Sequence, residues 1–308
     1  MKTLVTGGAG FIGGNLAERL LADGHEVHVL DDLSTGHRRN VPAKATFHHG
    51  SILDDALLRK AATGAEVIFH EAALGSVPRS IAEPVTTHEV NLTGTVRVLE
   101  AARALDVRKV VFAASSSAYG DTPSLPKHEG MLPAPLSPYA VTKLAAEHYL
   151  AAYHKAYGLR TTSLRYFNVY GPRQDPNGAY AAVIPRFILA ALQGEALAIH
   201  GDGTQSRDFT YVADVVNANL LAARSAKADG QVCNIGAAGR TDLNELAREV
   251  VALTGSRSPI EHGPPRAGDV HDSQASLERA KELLGYRPTI ALAEGLRRTV
   301  AWFRENPA

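Results

Sequence analysis

Cysteine is nearly missing from this chain. Its 308 residues hold one, Cys233, which excludes a disulfide framework and any cysteine-rich zinc site and fits a reducing compartment. Net charge is missing too: Lys plus Arg is 32 and Asp plus Glu is 32. Nucleic-acid and membrane-surface proteins rest their affinity on a basic excess, so this balance argues against both while leaving room for a local basic pocket. No apolar run approaches the roughly 20 residues that cross a bilayer. The opening "MKTLVTGGAG" reaches its glycines too soon for a signal peptide. There is no low-complexity tract and no internal repeat, and His48 and His49 have no spaced partners that suggest a metal site. What is present is ordinary for a soluble globular protein, with 45% hydrophobic and 21% charged residues. The length suits about two domains of ~150 residues and can bury a core without staples. The expectation is a cytoplasmic enzyme or small-molecule binder without a metal.

The first half alternates two patterns. The segments 2–6, 26–30, 45–49, 66–70 and 109–115 are short, rich in Val, Ile and Phe, and the strong ones lack polar alternation. Such runs suit strands buried on both faces of a parallel sheet. Between them, 11–23, 54–62, 92–105 and 138–157 carry helical spacing. In 92–105, Leu92, Val96, Leu99 and Ala102 form one stripe. A βαβα alternation predicts an α/β fold of Rossmann type, a doubly wound parallel sheet with helices on both faces. Past a loop rich in Pro, Gly, Asn and Asp ("PRQDPNG"), helices are predicted at 181–193, 213–224, 242–253, 276–284 and 292–304, with strand-like "LAIH" (197–200) and "QVCNI" (231–235). The expected division is a nucleotide-binding domain over 1–167 and a smaller α/β substrate domain over 168–308, with 210–238 free to return to the first.

"VTGGAGFIGG" follows the first strand and opens the first helix. Gly8, Gly10 and Gly13 satisfy G-x-G-x-x-G, and Gly7, Gly10 and Gly13 a variant of it. Glycine permits the tight turn and removes the Cβ that would keep backbone N–H groups from a pyrophosphate. The helix start adds partial positive charge. Asp31 ends the second strand, eighteen positions after Gly13. A carboxylate there accepts from ribose hydroxyls and repels a 2′-phosphate, favouring NAD over NADP. Its neighbour Asp32 reads as a turn residue.

"SPYAVTK" sets Tyr139 and Lys143 one turn apart on one helix face. Alone, such a pair is common. "AASSSAYGD" at the end of the fifth strand changes its weight. Ligands of doubly wound sheets sit outside the carboxyl ends of the strands, which puts the hydroxyls of Ser115, Ser116 and Ser117 beside a cofactor's reactive ring.

These motifs, with "DDLSTG", "HEAALGSVPRS", "VNLTGT", "LRYFNVYGPRQDPNGAYAAVIPRF", "GDGTQSRDFTYVAD" and "PPRAGDV", resemble the extended short-chain dehydrogenase/reductases, in their NAD-dependent sugar epimerase/dehydratase branch. The resemblance covers nearly the whole chain and is strongest to UDP-hexose 4-epimerases, particularly those that handle N-acetylhexosamines. It implies that Tyr139 is the base for the sugar 4-hydroxyl, that Ser115 bonds the same oxygen and passes the proton, that Lys143 and the positive nicotinamide together lower the Tyr139 pKa, and that Lys143 holds the nicotinamide ribose. The C4 hydride then moves to tightly held NAD⁺, the 4-keto sugar turns over, and the hydride returns to its other face. Cofactor-side matches are Phe11 and Ile12, the run Asp31, Asp32, Leu33, Ser34, Thr35 and Gly36, then Ile52 against adenine, Ala72, Ala73, Leu74, Asn91, Tyr166 and Phe167. Ser51 stands where the family often has Asp. Arg207 and Arg266 match a diphosphate clamp, and guanidinium is suited to it. Asn168, Ala182, Val183, Phe187, Ala198, Ile199 and His200 match sugar-nucleotide positions. Asp269 matches a local turn or the nucleotide ribose. Ser273 aligns with a gate beside the sugar 2-position, where a small residue resembles members that take 2-acetamido sugars.

A dehydratase on this scaffold resembles members with an Asp-Glu pair where this chain has Ser116 and Ser117, and decarboxylases resemble members with Glu there. A uronate 4-epimerase remains a rival. A non-catalytic NAD-binding sensor would be expected to lose Tyr or Lys from the pair, and both are present. His70 reads as structural. The resemblance also implies a homodimer packed through 92–105 and 138–157, with Ala145, Ala146, Ala151 and Ala152 allowing close approach.

Overall fold

The structure is a computed structural model that describes residues 1–177, 181–265 and 270–307. Five strands come first: β1 (Lys2–Thr6), β2 (Glu26–Asp31), β3 (Thr46–His49), β4 (Val67–His70) and β5 (Lys109–Ser115). After them come β6 (Arg160–Tyr166), β7 (Val169–Tyr170), β8 (Leu197–His200), β9 (Ser206–Arg207), β10 (Thr210–Tyr211), β11 (Gln231–Ile235), β12 (Thr241–Asp242) and β13 (Ile260–Gly263). A seven-stranded sheet runs β11-β6-β5-β4-β1-β2-β3, every pair parallel. The order reverses between β1 and β4, and a doubly wound sheet opens its ligand crevice at such a point. β11 thus joins the strands of the first half.

The helices are α1 (Phe11–Ala22), α2 (Asp55–Ala62), α3 (Val77–Ala82), α4 (Pro84–His88), α5 (Gly94–Ala104), α6 (Pro138–Tyr157), α7 (Val183–Gln193), α8 (Val212–Arg224), α9 (Leu243–Thr254), α10 (Glu278–Leu284) and α11 (Leu292–Glu305). The sheet is filled by wholly buried Val5, Val29, Phe69, Val111 and Leu164 toward α1 and α8, and by Leu4, Ile68, Val110 and Phe112 toward α2, α5 and α6. Small two-stranded pairs β8–β13, β9–β12 and β7–β10 frame the second half beside the cleft. Among the described residues no helix is long and apolar enough to cross a membrane.

One predicted stripe shifts. The buried residues of α5 are Gly94, Thr95, Val98, Leu99, Ala101 and Ala102, whereas Leu92 and Val96 are only half-buried. A π turn over Glu89–Thr93 precedes the helix, and its wider winding advances the phase of α5.

Candidate active site

The glycine turn sets one wall of a cleft of about 970 Å³. Gly7 has φ of 72°, and a Cβ on it would lie 2.6 Å from the Ala72 nitrogen; one on Gly13 would lie 2.2 Å from the Gly7 carbonyl oxygen. Both positions therefore have room only for glycine. Gly10 stands at the N-cap of helix α1, which has no side-chain cap and no acidic residue in its first turn, and with Phe11, Ile12 and Gly13 it lines the cleft, so the leading N–H groups and positive end are open to an anionic group. Gly13→Ala is expected to displace the Gly7 peptide and remove dinucleotide binding. Isothermal titration with NAD checks this, and binding at the parent affinity would contradict it.

Asp31, at the end of β2, does not itself line the cleft, nor do Leu33 and Gly36. The Asp31 carboxylate accepts from Ala9 N–H at 2.9 Å and Leu33 N–H at 2.8 Å. Burial raises its pKa, and these two bonds work against the rise. A carboxylate offers about four acceptor sites, which leaves two for ribose hydroxyls. Asp32 accepts from Ser34 N–H at 2.9 Å in a local turn, in keeping with its reading as a turn residue, and it too does not line the cleft. Gly36 lets its loop press on Ala9, where a Cβ would come within 2.8 Å. Ile52 is buried in the cluster with Leu58 and Val98, and Ser51 accepts from Leu53 N–H at 3.2 Å. Neither lines the cleft, nor do Ser34, Ala72 and Leu74; Phe11, Ile12, Thr35, Ala73, Tyr166 and Phe167 do.

Asn91 does not reach the cleft either. Its amide accepts from Leu74 N–H at 2.8 Å and donates to the Leu74 carbonyl at 3.3 Å and to Thr142 Oγ1 at 3.2 Å. All its donors are used. It holds the 72–74 backbone against α6 rather than touching a ligand.

Helix α6 begins at Pro138, with Ser137 capping the Ala140 N–H at 3.2 Å, which presents Tyr139 and Lys143 to the cleft. Ser115, at the end of β5, accepts from Ser117 Oγ at 2.8 Å and from Ser117 N–H at 3.2 Å. Burial lifts the Tyr139 phenol above its usual value, and a hydrogen bond from Ser115 pulls the other way. The Lys143 ammonium donates to the Ala113 carbonyl at 2.8 Å and lies 4.8 Å over the Phe112 ring. Burial brings Lys143 down to about 8, opposed by Glu71 and Glu147.

Glu71 has no assigned role in the sequence motifs, although it stands inside "HEAAL". It lines the cleft, and Tyr166 O–H donates to it at 2.8 Å. Asn219 in turn donates to the Tyr166 oxygen at 2.7 Å. Burial pushes Glu71 up to about 7, against the Tyr166 bond and Lys143. Between the ordinary carboxylate range and pH 7 the folded chain then holds a proton that the unfolded chain releases, so stability falls as pH rises through that window. Glu71→Gln in the cofactor-free protein is expected to melt about 2–4 °C above the parent at pH 8 and level with it at pH 5. Equal differences at both pH values, read by calorimetry, would contradict this. His70 next to it is bonded by Thr6 and Thr95 at 2.7 and 2.9 Å and lowered to about 3 by burial, a neutral structural residue.

The second half closes the cleft. Asn168, Ala182, Val183, Ala198, Ile199, His200, Arg207 and Ser273 line it with Ser116 and Ser117. Arg207 donates to the Ser206 and His271 carbonyls, both at 2.9 Å. Ser273 Oγ accepts from Asn168 at 3.1 Å. Phe187 is corrected: it is 1% exposed, on the face of α7 that packs into the core, and so off the cleft. Arg266 and Asp269 lie outside the described residues.

Comparison with known proteins agrees with this geometry. The model of the NAD dependent epimerase/dehydratase family matches residues 3–236. The chain is 45% identical to a UDP-glucose 4-epimerase of Mycolicibacterium smegmatis, over 99% of each chain. It superposes on a UDP-glucose 4-epimerase of Thermotoga maritima, solved with UDP-glucose, at a TM-score of 0.97 with 40% identity over 100% of both chains. A Thermus thermophilus UDP-glucose 4-epimerase in complex with NAD gives a TM-score of 0.91 at 40% identity, covering 99% of this chain and 100% of that one. The chain belongs to the NAD dependent epimerase/dehydratase family.

Proposed function

We propose that the chain is an NAD-dependent 4-epimerase of UDP-hexoses. The observation that carries this reading is the convergence of Tyr139, Ser115 and Lys143 in one cleft with the glycine turn and with Arg207 and Ser273. The residues fit NAD: the Gly7 and Gly13 cradle excludes any Cβ, the start of α1 is uncapped, and Asp31 keeps two acceptor sites. Glycines of the turn would take the pyrophosphate, Asp31 the adenosine ribose, and Lys143 the nicotinamide ribose. Bound NAD supplies a reversible acceptor for the hydrogen on the sugar C4.

The chain's own residues handle the proton. Tyr139 takes it from the 4-hydroxyl, and Ser115 stabilises the phenolate through the bond that already opposes burial. Ser117 donates to Ser115, which leaves the Ser115 hydrogen for that bond. Lys143 contributes positive charge beside the phenolate once its ammonium turns from the Ala113 carbonyl. Tyr139 returns the proton to the opposite epimer. Ser116 and Ser117 cannot exchange protons near neutral pH as a carboxyl pair can, which supports epimerisation over dehydration.

Arg207 and Asn168 would hold the diphosphate, with Arg266 from the segment beyond the described residues. Ser273 leaves space beside the sugar 2-position, so the proposed substrates are UDP-GlcNAc/UDP-GalNAc together with UDP-Glc/UDP-Gal. Incubation with UDP-galactose and, separately, UDP-N-acetylgalactosamine, with the 4-epimers then resolved, tests this. Formation of neither epimer would overturn it. Ser273→Tyr is expected to cut kcat/KM for the acetamido pair by on the order of 100-fold relative to the plain pair; an equal loss on both would contradict the gate.

A homodimer belongs to the same reading. Exposed Val141 and Tyr149 on α6 support it. Ala146 is wholly buried within the chain and drops out of the expected contact.

A further inference from the structure

The loop after β7 is tied across the glycine turn by side chains that nothing in the epimerisation chemistry uses. Asn15 donates to the Pro172 carbonyl at 3.1 Å. Arg173 donates to the Gly14 carbonyl at 3.2 Å and pairs with Glu18 at 2.8 Å. His37 Nε2 meets Asp175 Oδ2 at 3.0 Å. Three of the tied residues, Gly14, Asn15 and Glu18, belong to α1, the helix whose start faces the cleft. The fourth tie grips the other side of the turn, because the His37 backbone N–H donates to the Ala9 carbonyl at 2.9 Å.

The loop bears strain in order to lie there. Arg173 has φ of 72°, left-handed backbone that disfavours a side-chain-bearing residue. Asp175 is fixed by its own turn, accepting from Asn177 N–H at 2.8 Å. His37, Arg173 and Asp175 all line the cleft that Gly7, Gly10 and Gly13 line. The strap therefore lines the same cleft as the phosphate cradle, fastened to α1 just past Gly13 and to His37, whose backbone bonds Ala9 within the turn.

We propose that loop 171–177 is a strap over the dinucleotide cradle, fastened by the His37–Asp175 pair and by Arg173 on α1, which keeps the cofactor bound between turnovers. This rests on NAD occupying the cleft but not on which sugar is turned over. A dinucleotide seated on the glycine turn leaves only after the strap unfastens. Both partners of the His37–Asp175 pair are over a third exposed, so the effect of breaking it is modest.

The test measures cofactor release, not catalysis. The holoprotein is passed over a desalting column, and its remaining NAD is assayed against time. His37→Ala and Asp175→Ala are each expected to speed release by about fivefold, and the double variant no further, because the two side chains act as one fastening. Arg173→Ala adds its own increase. Release at the parent rate in all variants, or multiplicative effects in the double variant, would overturn the strap while leaving the cofactor assignment intact. A parent that carries and binds no NAD would overturn both. Unchanged melting of the cofactor-free variants separates fastening from a general loss of stability.

Discussion

Tyr139→Phe is expected to slow epimerisation roughly 10³-fold, within the range a positioned acid–base group contributes, with bound NAD unchanged. The substitution removes one oxygen and little volume. The phenol is the group in the cleft that both meets Ser115 and sits one helical turn from an ammonium. Glu71 is the competing proton acceptor, yet its carboxylate is occupied by Tyr166, and Lys143 is directed to a backbone carbonyl. Burial opposes the phenolate in this chain, so the charge needed at Tyr139 must come from Ser115, Lys143 and the oxidised cofactor together. Steady-state kinetics on UDP-galactose check the loss. A variant within a few-fold of the parent would remove Tyr139 from the proton path.

Glu147→Leu is expected to cost about 3–5 kcal/mol, because it strands a buried guanidinium. Arg165 on β6 donates to the Glu147 carboxylate through Nε at 3.0 Å and Nη2 at 2.7 Å. The two side chains are 5% and 3% exposed. The Arg165 guanidinium also lies 4.7 Å over the Tyr119 ring. Burial raises the Glu147 pKa and Arg165 pulls it back, so the pair exists only as a unit. Glu147 comes one turn of α6 after Lys143, as Lys143 does after Tyr139, and the pair therefore fastens the catalytic stripe of the helix to the sheet. Urea denaturation of the single variant, and of Glu147→Leu with Arg165→Met, checks this. The double variant is expected to regain most of the loss, since apolar replacement of both partners of a buried pair is often neutral. A single variant as stable as the parent would contradict it.

What was legible in the sequence was local. The glycine turn, the strand before it, the helix after it and the Tyr139–Lys143 spacing each depend on neighbours within a few residues, and each stands in the structure where the spacing puts it. The parallel sheet was legible because strands buried on both faces carry uninterrupted Val, Ile and Phe. What depended on distant partners was not. Glu71 acquires its role from Tyr166, 95 residues away, and Asn91 from Leu74 and Thr142. Lys143 finds its acceptor in the Ala113 carbonyl, 30 residues away. Phe187 fell on the wrong face of α7 because motif matching carries no helical phase. The short helices over 77–88 are set by caps, Ser76 and prolines at 78 and 84, and show no periodicity long enough to read.

In the proposed reaction one carbon of the sugar loses and regains its own hydrogen inside a closed cleft. The most direct measurement uses UDP-galactose carrying deuterium at C4, with mass and proton spectra of both epimers taken at equilibrium in ordinary water. The predicted result is that the label stays on C4 of both epimers and that turnover is slower than with the unlabelled sugar. Label lost to solvent, or epimers formed with the label at any other carbon, would contradict it.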